Sequence, residues 1–254
     1  MSTNALDSVP LAAWVWLVQM AAFHVIGYGF QWCDRSGALR RFKVRNVDAP
    51  TYRAMLPRVL FNQTFILLPA MLGLEWLGLA FTGTPRLSLP LFAAGLVLMP
   101  IGHDLVQYAA HRWLLHNRHL RWLGHDVHHS TNASRSIGAL YMSAGDFFLN
   151  ITCPYLIPLV LIGGGGADWR FHFLIVAMGA VGGLYEHSGY DFATGRTDRG
   201  ASPLDRVLRL LPPSLVSSHA HAEHHRRWHV SYSDGFGSPG LCDLVFRTRW
   251  DLRR

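Results

Sequence analysis

Residues 10–32 read PLAAWVWLVQMAAFHVIGYGFQW, a run without a single Asp, Glu, Lys or Arg. Crossing a bilayer takes roughly 20 mostly apolar residues in a helix, so this stretch is long enough to span and sets the reading of the whole chain. Further apolar runs follow near 59–82, 87–103, 147–165 and 169–187. The run at 87–103 is short and leads into His103-Asp104, so its helix should continue beyond the hydrocarbon. The run at 147–165 carries Pro154 and Pro158, which should kink it. It closes on Gly163-Gly164-Gly165-Gly166, a strong breaker. Four or five spans are expected.

Composition agrees. The chain has 254 residues, 50% of them hydrophobic and 15% charged, against about 25% charged in average soluble domains. The formal charge of +7 comes almost wholly from arginine, because Lys43 is the only lysine. A basic balance can mean nucleic acid, but these arginines sit between apolar runs and speak instead of membrane orientation. Segment 34–58 carries Arg35, Arg40, Arg41, Lys43, Arg45, Arg53 and Arg58 against Asp34 and Asp48, whereas the turns 83–86 and 166–170 hold only Arg86 and Arg170 as basic residues. With five spans, the positive-inside rule puts 34–58, 104–146 and the tail from about 188 on the cytoplasmic side. Cys33, Cys153 and Cys242 form no CxxC, so neither a disulfide framework nor a thiolate zinc site is indicated. The N-terminus lacks the basic region of a secretory leader, and its apolar run is too long for a cleavable one. No linker or repeat divides the chain, and residues 1–254 are expected to form one domain.

Two short stretches on the expected cytoplasmic side rhyme: HDVHH at 125–129 and HAEHH at 221–225. On a helix, positions i, i+3 and i+4 lie on one face, so each stretch groups three imidazoles: His125, His128 and His129, then His221, His224 and His225. Neutral imidazole suits iron, zinc, copper or nickel. A third group is HRWLLH, with His111 and His116. At about 100° per residue, i and i+5 stand roughly 140° apart on a regular helix. Either the helix is distorted there or the two rings approach from different sides; by spacing alone His116 and His119 would pair better. A fourth candidate is His187 in EHSGYD at 186–191, where the chain returns to the same side. His24 and His172 lie inside spans, where a helix–helix hydrogen bond is the expected role. His103, His119, His219 and His229 are left without a ligand role. Asp104, Asp126, Glu186, Asp191 and Glu223 could accept the second ring N–H of ligand histidines and so fix their tautomer.

Together HRWLLH, HDVHHS, HSGYD and HAEHH resemble the fatty acid hydroxylase superfamily, also called the sterol desaturase family. The resemblance extends to Asp104 and Tyr108 before the first box and to Asn62, Gln63 and Pro69 in the second span. It also takes in Ser231-Tyr232 and Cys242-Asp243-Leu244-Val245-Phe246-Arg247-Thr248 near the end. HSGYD looks most like the C4-methyl sterol oxidase branch. HRWLLH departs by having four intervening residues where many relatives have three. Cys242 stands for the usual Trp and Arg247 for the usual Gly. By motif, the resemblance implies metal ligation by His111, His116, His125, His128, His129, His187, His221, His224 and His225.

The resemblance further implies an all-α fold: a multi-pass membrane bundle with a cytoplasmic-side helical cap holding a histidine-rich di-metal site. Two iron ions are implied, with zinc an alternative in purified protein and O2 as co-substrate. The activity implied is hydroxylation of an unactivated C–H bond in a lipophilic substrate (a sterol, fatty acyl chain or other lipid) that enters from the bilayer. No glycine-rich dinucleotide fingerprint is present, so the electrons must come from an external ferredoxin, b-type cytochrome or reductase. Desaturation, aldehyde deformylation or ether cleavage could use the same ligands. A membrane haem carrier or a metal transporter would instead place its histidines inside the spans.

Overall fold

The computed structural model describes residues 9–196, 202–211, 216–235 and 238–253. Helices dominate it. Four of them are long and apolar enough to cross a membrane: α1 (Leu11–Ser36), α2 (Tyr52–Trp76), α3 (Leu89–Leu115) and α4 (Ala144–Leu161). The protein is an integral membrane protein. The fifth apolar run forms α5 (Trp169–His187), which packs along α1 and carries the chain from the glycine turn to the end where α1 finishes. After it come α6 (Pro203–Leu210), α7 (His219–Arg227) and α8 (Leu241–Val245). A two-residue antiparallel ladder joins Asp234–Gly235 to Ser238–Pro239. Large apolar side chains on the outer faces, such as Val25, Phe65, Trp76, Leu89 and Leu161, are exposed, as lipid-facing surfaces require.

At one end of the bundle the connections are stitched by backbone bonds. Phe81 N–H donates to Gly164 O, Ala167 N–H to Thr84 O, and Leu87 N–H to the Asp168 carboxylate. The glycine run makes this possible. All four residues have positive φ, from 60° to 90°, which only glycine adopts without strain. A Cβ on Gly164 would lie 2.4 Å from Leu79 O. At the same end, Glu75 of α2 accepts the first N–H groups of α1, Leu11 at 2.8 Å and Ala12 at 2.9 Å. It thereby supplies the carboxylate that helix donors without partners favour.

The expected kink in α4 takes a different form. A π turn at Phe148–Thr152 precedes Pro154, and another at Gln63–Leu67 precedes Pro69. Proline has no N–H and its ring presses on the carbonyl four residues back; widening the turn relieves that clash without ending the helix. Inside the bundle, Gln63 bonds His24 and Gln19 of α1, while Asn62 donates to Leu140 O and Met142 O. The Asn62-Gln63 pair therefore ties two spans to the segment 136–142 that folds under the histidine site. His24 makes the helix–helix bond expected of it; His172 instead bonds Gly166 O at the far turn.

Gly164→Ala should lower the thermal midpoint in detergent by several degrees, a cost of at least about 1 kcal/mol. Gly73→Ala serves as control: it lies in α2 with nothing within 4 Å of its added Cβ, and should hold or raise the midpoint.

Candidate metal centre

Nine histidines converge at the other end of the bundle, in two groups. His111, His116, His125, His129 and His224 form one; His128, His187, His221 and His225 form the other, and in each the ligand nitrogens lie within 4.8 Å of one another. In the first group, Nε2 of His125 stands 3.0 Å from that of His111 and 3.1 Å from that of His129, which is 3.1 Å from that of His224. In the second, the steps His128–His187, His187–His221 and His221–His225 measure 3.2, 2.8 and 3.0 Å. Nitrogens about 2.1 Å from a shared ion and at right angles around it would be about 3.0 Å apart, so the spacing fits ligands on adjacent corners of one ion. His116 Nε2 is buried with no hydrogen-bond partner, as a donor reserved for a metal would be. The donor set is all imidazole, which suits iron, zinc, copper or nickel.

Each HxxHH stretch divides between the groups. His125 and His129 join the first while His128 joins the second; His221 and His225 join the second while His224 joins the first. Helix geometry gives the reason. Residues i and i+4 are only about 40° apart around the axis, whereas i+3 lies about 100° from i+4. One face thus offers a pair to one group and a single ring to its neighbour, a finer division than three rings on one face.

The four-residue gap of HRWLLH is resolved by distortion of the helix. Residues Ala110–Leu115 form a π turn, with His116 N–H donating to His111 O at 3.0 Å. The wider turn stacks i over i+5, and the two ring centroids come to 5.0 Å. His119, the better partner by spacing, is exposed and bonds Arg118. His219 and His229 are likewise exposed, and His103 borders the cavity described below.

Backbone carbonyls hold the second ring nitrogen of three of the nine rings, while Nδ1 of His128, His129 and His225 is buried without a hydrogen-bond partner. Nδ1 of His111 bonds Tyr232 O at 2.6 Å, that of His224 bonds Val230 O at 2.8 Å, and that of His187 bonds Gly183 O at 2.8 Å. The carboxylate at the site is Asp146, whose Oδ2 lies 3.0 Å from His125 Nδ1. Sequence spacing gave no sign of it, because Asp146 comes from the start of another span. The acids expected in this role do other work. Asp104 accepts from Ser233, Ser238 and Cys242 N–H, and Asp243 accepts the N–H groups of Tyr232 and Ser233. Both therefore fix the loop whose carbonyls orient His111 and His224. Asp126 bonds its own turn, Asp191 bonds Ala193 and Ser217, and Glu223 pairs with Arg226. Glu186 borders the cavity.

HSGYD is held by the basic loop 37–51. Lys43 bonds Asp34 at 2.6 Å and Ser188 O at 2.7 Å, and Tyr190 donates to Asp34 at 2.9 Å. Near the C-terminus, Tyr108 bonds Thr248 and stacks on Phe246 at 5.1 Å. Arg247 adopts φ 52°, a left-handed conformation that glycine takes without strain, at the position where the family resemblance expects glycine. The contacts around it nevertheless form, and Cys242 takes part through its backbone N–H.

A cavity of about 240 Å³ opens beside both groups, bordered by His111, His128, His187 and His221 and walled by side chains such as Phe23, Met99 and Val176. Burial holds the imidazoles neutral. It pushes His129 down to about 3 and His128, His221, His224 and His225 well below the ordinary histidine value, with neighbouring imidazoles adding to the effect.

A family model described as fatty acid hydroxylase matches residues 96–248, more than half of the chain and every one of the nine histidines. No curated protein and no solved structure matches it. The chain belongs to the fatty acid hydroxylase family.

Two outcomes follow from the geometry. Asp146→Asn should weaken metal binding by about 10–100-fold in a titration of purified protein, without loss of helical circular dichroism. Metal-free protein should also lose stability as the pH falls below about 6.5. There the unfolded histidines take up protons that the buried ones refuse, and each contributes up to about 1.4 kcal/mol per pH unit. Thermal midpoints between pH 8 and 5 measure this slope, and His129→Asn should flatten it.

Proposed function

We propose that this member of the fatty acid hydroxylase family is a membrane di-iron oxygenase, acting on a lipophilic substrate drawn from the bilayer. The nine histidines would hold two iron ions, five rings on one and four on the other. The observation that carries the reading is the pair of imidazole groups at the mouth of a largely apolar cavity. Iron bound there would supply dioxygen activation and oxidation of a C–H bond. The reaction is R–H + O2 + 2 e⁻ + 2 H⁺ → R–OH + H2O, with the electrons from an external ferredoxin, b-type cytochrome or reductase. The residues 1–254 act in this reading as one domain, with the histidines on the cytoplasmic side. A sterol-like substrate, as in the C4-methyl sterol oxidase branch, is the favoured lipid class, because HSGYD carries that resemblance.

The chain's own contribution is positional. Phe23, Met99, Leu140 and Val176 exclude water from the cavity and hold an apolar body against His128, His187 and His221. Carbonyl acceptors on Tyr232, Val230 and Gly183 hold a proton on Nδ1 of His111, His224 and His187, leaving each Nε2 lone pair free for a metal. Neutral rings add no charge, so the ions would keep their full positive charge for binding oxygen. A haem carrier fits poorly. Axial nitrogens about 2.0 Å either side of an iron would stand about 4 Å apart, across a macrocycle. Here six neighbouring steps of 2.8–3.2 Å leave no room for one.

His128→Ala and His224→Ala remove one ring from different groups. Each should abolish product formation and reduce iron content while membrane insertion persists. The readout is metal analysis of the purified protein together with a comparison of lipid extracts from cells with and without the chain, seeking a product heavier by one oxygen. Purified, folded protein that takes up no transition metal would sink the reading.

A further inference from the structure

Trp228 follows directly on the ligand helix α7 and holds an unusual conformation. Its φ is 65°, in the left-handed region that costs a bulky residue roughly 1–3 kcal/mol, and its N–H closes the helix on His224 O at 2.7 Å. This turn lays the indole flat on His129, with ring centroids 4.0 Å apart and planes inclined by 25°. His116, of the same five-histidine group, is 6.0 Å away edge-on. The outer side of the indole is open, and Trp228 is 45% exposed although His129 beneath it is 3% exposed. One conjugated ring thus spans the distance between solvent and a buried imidazole.

The surround is basic. Arg226 and Arg227 directly precede the indole in sequence, Arg253 bonds the carbonyl of His229 that follows it, and Arg45 lies within electrostatic reach of Arg226 and Glu223. Glu223 pairs with Arg226 at 2.6 Å and with Arg227 at 3.7 Å, so it offsets one of these four charges and leaves a positive collar. Packing alone would be served by an aliphatic or a buried aromatic side chain. It calls for neither a strained backbone nor an open ring edge.

We propose that Trp228 is the port through which electrons reach the five-histidine group, and that its arginine collar docks a small acidic one-electron carrier protein. This rests on the oxygenase reading given above. In each encounter the reduced carrier would lose one electron, and ferric iron held by the five-histidine group would accept it. The indole and His129 mediate the transfer and are left unchanged, and two encounters supply the two electrons of one turnover. Collar charge sets the encounter rate and its salt dependence, while the stacked rings set the transfer step.

The test uses full-length protein in detergent and an acidic plant-type [2Fe–2S] ferredoxin as the probe. In the first arm, equilibrium binding is measured on metal-free and iron-loaded protein. Binding should weaken with salt and fall at least tenfold in the double variant Arg45→Glu, Arg226→Glu; unchanged binding overturns the docking claim. In the second arm, reduction of the ferric protein by pre-reduced ferredoxin is followed by stopped flow and compared with reduction by dithionite. Trp228→Leu should slow the ferredoxin reaction at least tenfold with dithionite reduction and iron content unchanged, and Trp228→Phe should recover part of the rate. If Trp228→Leu is reduced at the parental rate, or if dithionite reduction and iron content fall equally, the indole is no port and merely covers the site. Protein that takes up no iron fails the oxygenase reading instead, and the metal-free binding arm still decides the collar.

Discussion

Nine neutral imidazoles packed into two groups make a demand that most of the remaining structure meets. A buried ring with both nitrogens unpaired is costly, and a ring free to turn is a poor ligand. A fixed partner behind a ring meets both needs, although Nδ1 of His128, His129 and His225 has no hydrogen-bond partner. The carbonyls of Tyr232, Val230 and Gly183 and the carboxylate of Asp146 supply four such partners. Those partners must themselves be held. Asp104 on α3 and Asp243 before the final turn both grip the 231–233 loop, and Tyr108 braces the same corner through Thr248. Residues far apart in sequence, with no chemistry of their own, thus bear on how two rings point.

The same demand explains why the two HxxHH stretches look alike without being a structural repeat. HDVHH occupies a single turn, Asp126–His129, whereas HAEHH lies in the longer helix His219–Arg227. What they share is the angular offset of a helix. Any segment that offers i, i+3 and i+4 to a pair of neighbouring ions gives two rings to one and a single ring to the other. Two such segments facing each other must exchange their single rings if both groups are to be filled. The unequal totals, five and four, come from HRWLLH supplying two rings to one side and EHSGYD one ring to the other.

Much of this was legible in the sequence because it depends on period and composition. Apolar length marked the spans, the glycine run marked the far turn, and histidine spacing marked the six rings of the two HxxHH stretches, with His111, His116 and His187 added by the family resemblance. What escaped depends on backbone distortion or on distant partners. HRWLLH fits a π turn and does not fit an α-turn, and spacing alone could not choose between a distorted helix and two separate approaches. The i, i+3 pair His116 and His119 looked better because the α-helix was the reference; once the turn widens, His119 swings out to solvent. Asp146 was hidden for another reason. Its role comes from the start of α4 meeting the cap, a tertiary contact that no local pattern announces. Asn62 and Gln63 were visible as a motif, but their work as ties between α1, α2 and the 136–142 segment appears only in the bonds they make.

The site also has two unlike sides, and their separation follows from where the helices end. Toward the bundle, apolar side chains from the spans form the cavity, and the rings that border it come chiefly from the four-histidine group, with His111 from the other. Toward solvent lie the ends of α7 and the C-terminal turns, rich in arginine, with Trp228 stacked on a ring of the five-histidine group. An oxygenase acting on a lipid must receive a greasy substrate and a water-soluble reductant at one centre without letting them compete for one opening. Placing the centre where spans give way to the cap meets that requirement, since the bilayer side is shaped by hydrophobic burial and the aqueous side by charge. The arginines expected from the positive-inside rule to set orientation would, on the proposed reading, also gather the reductant, so a single bias in composition would serve both topology and electron supply.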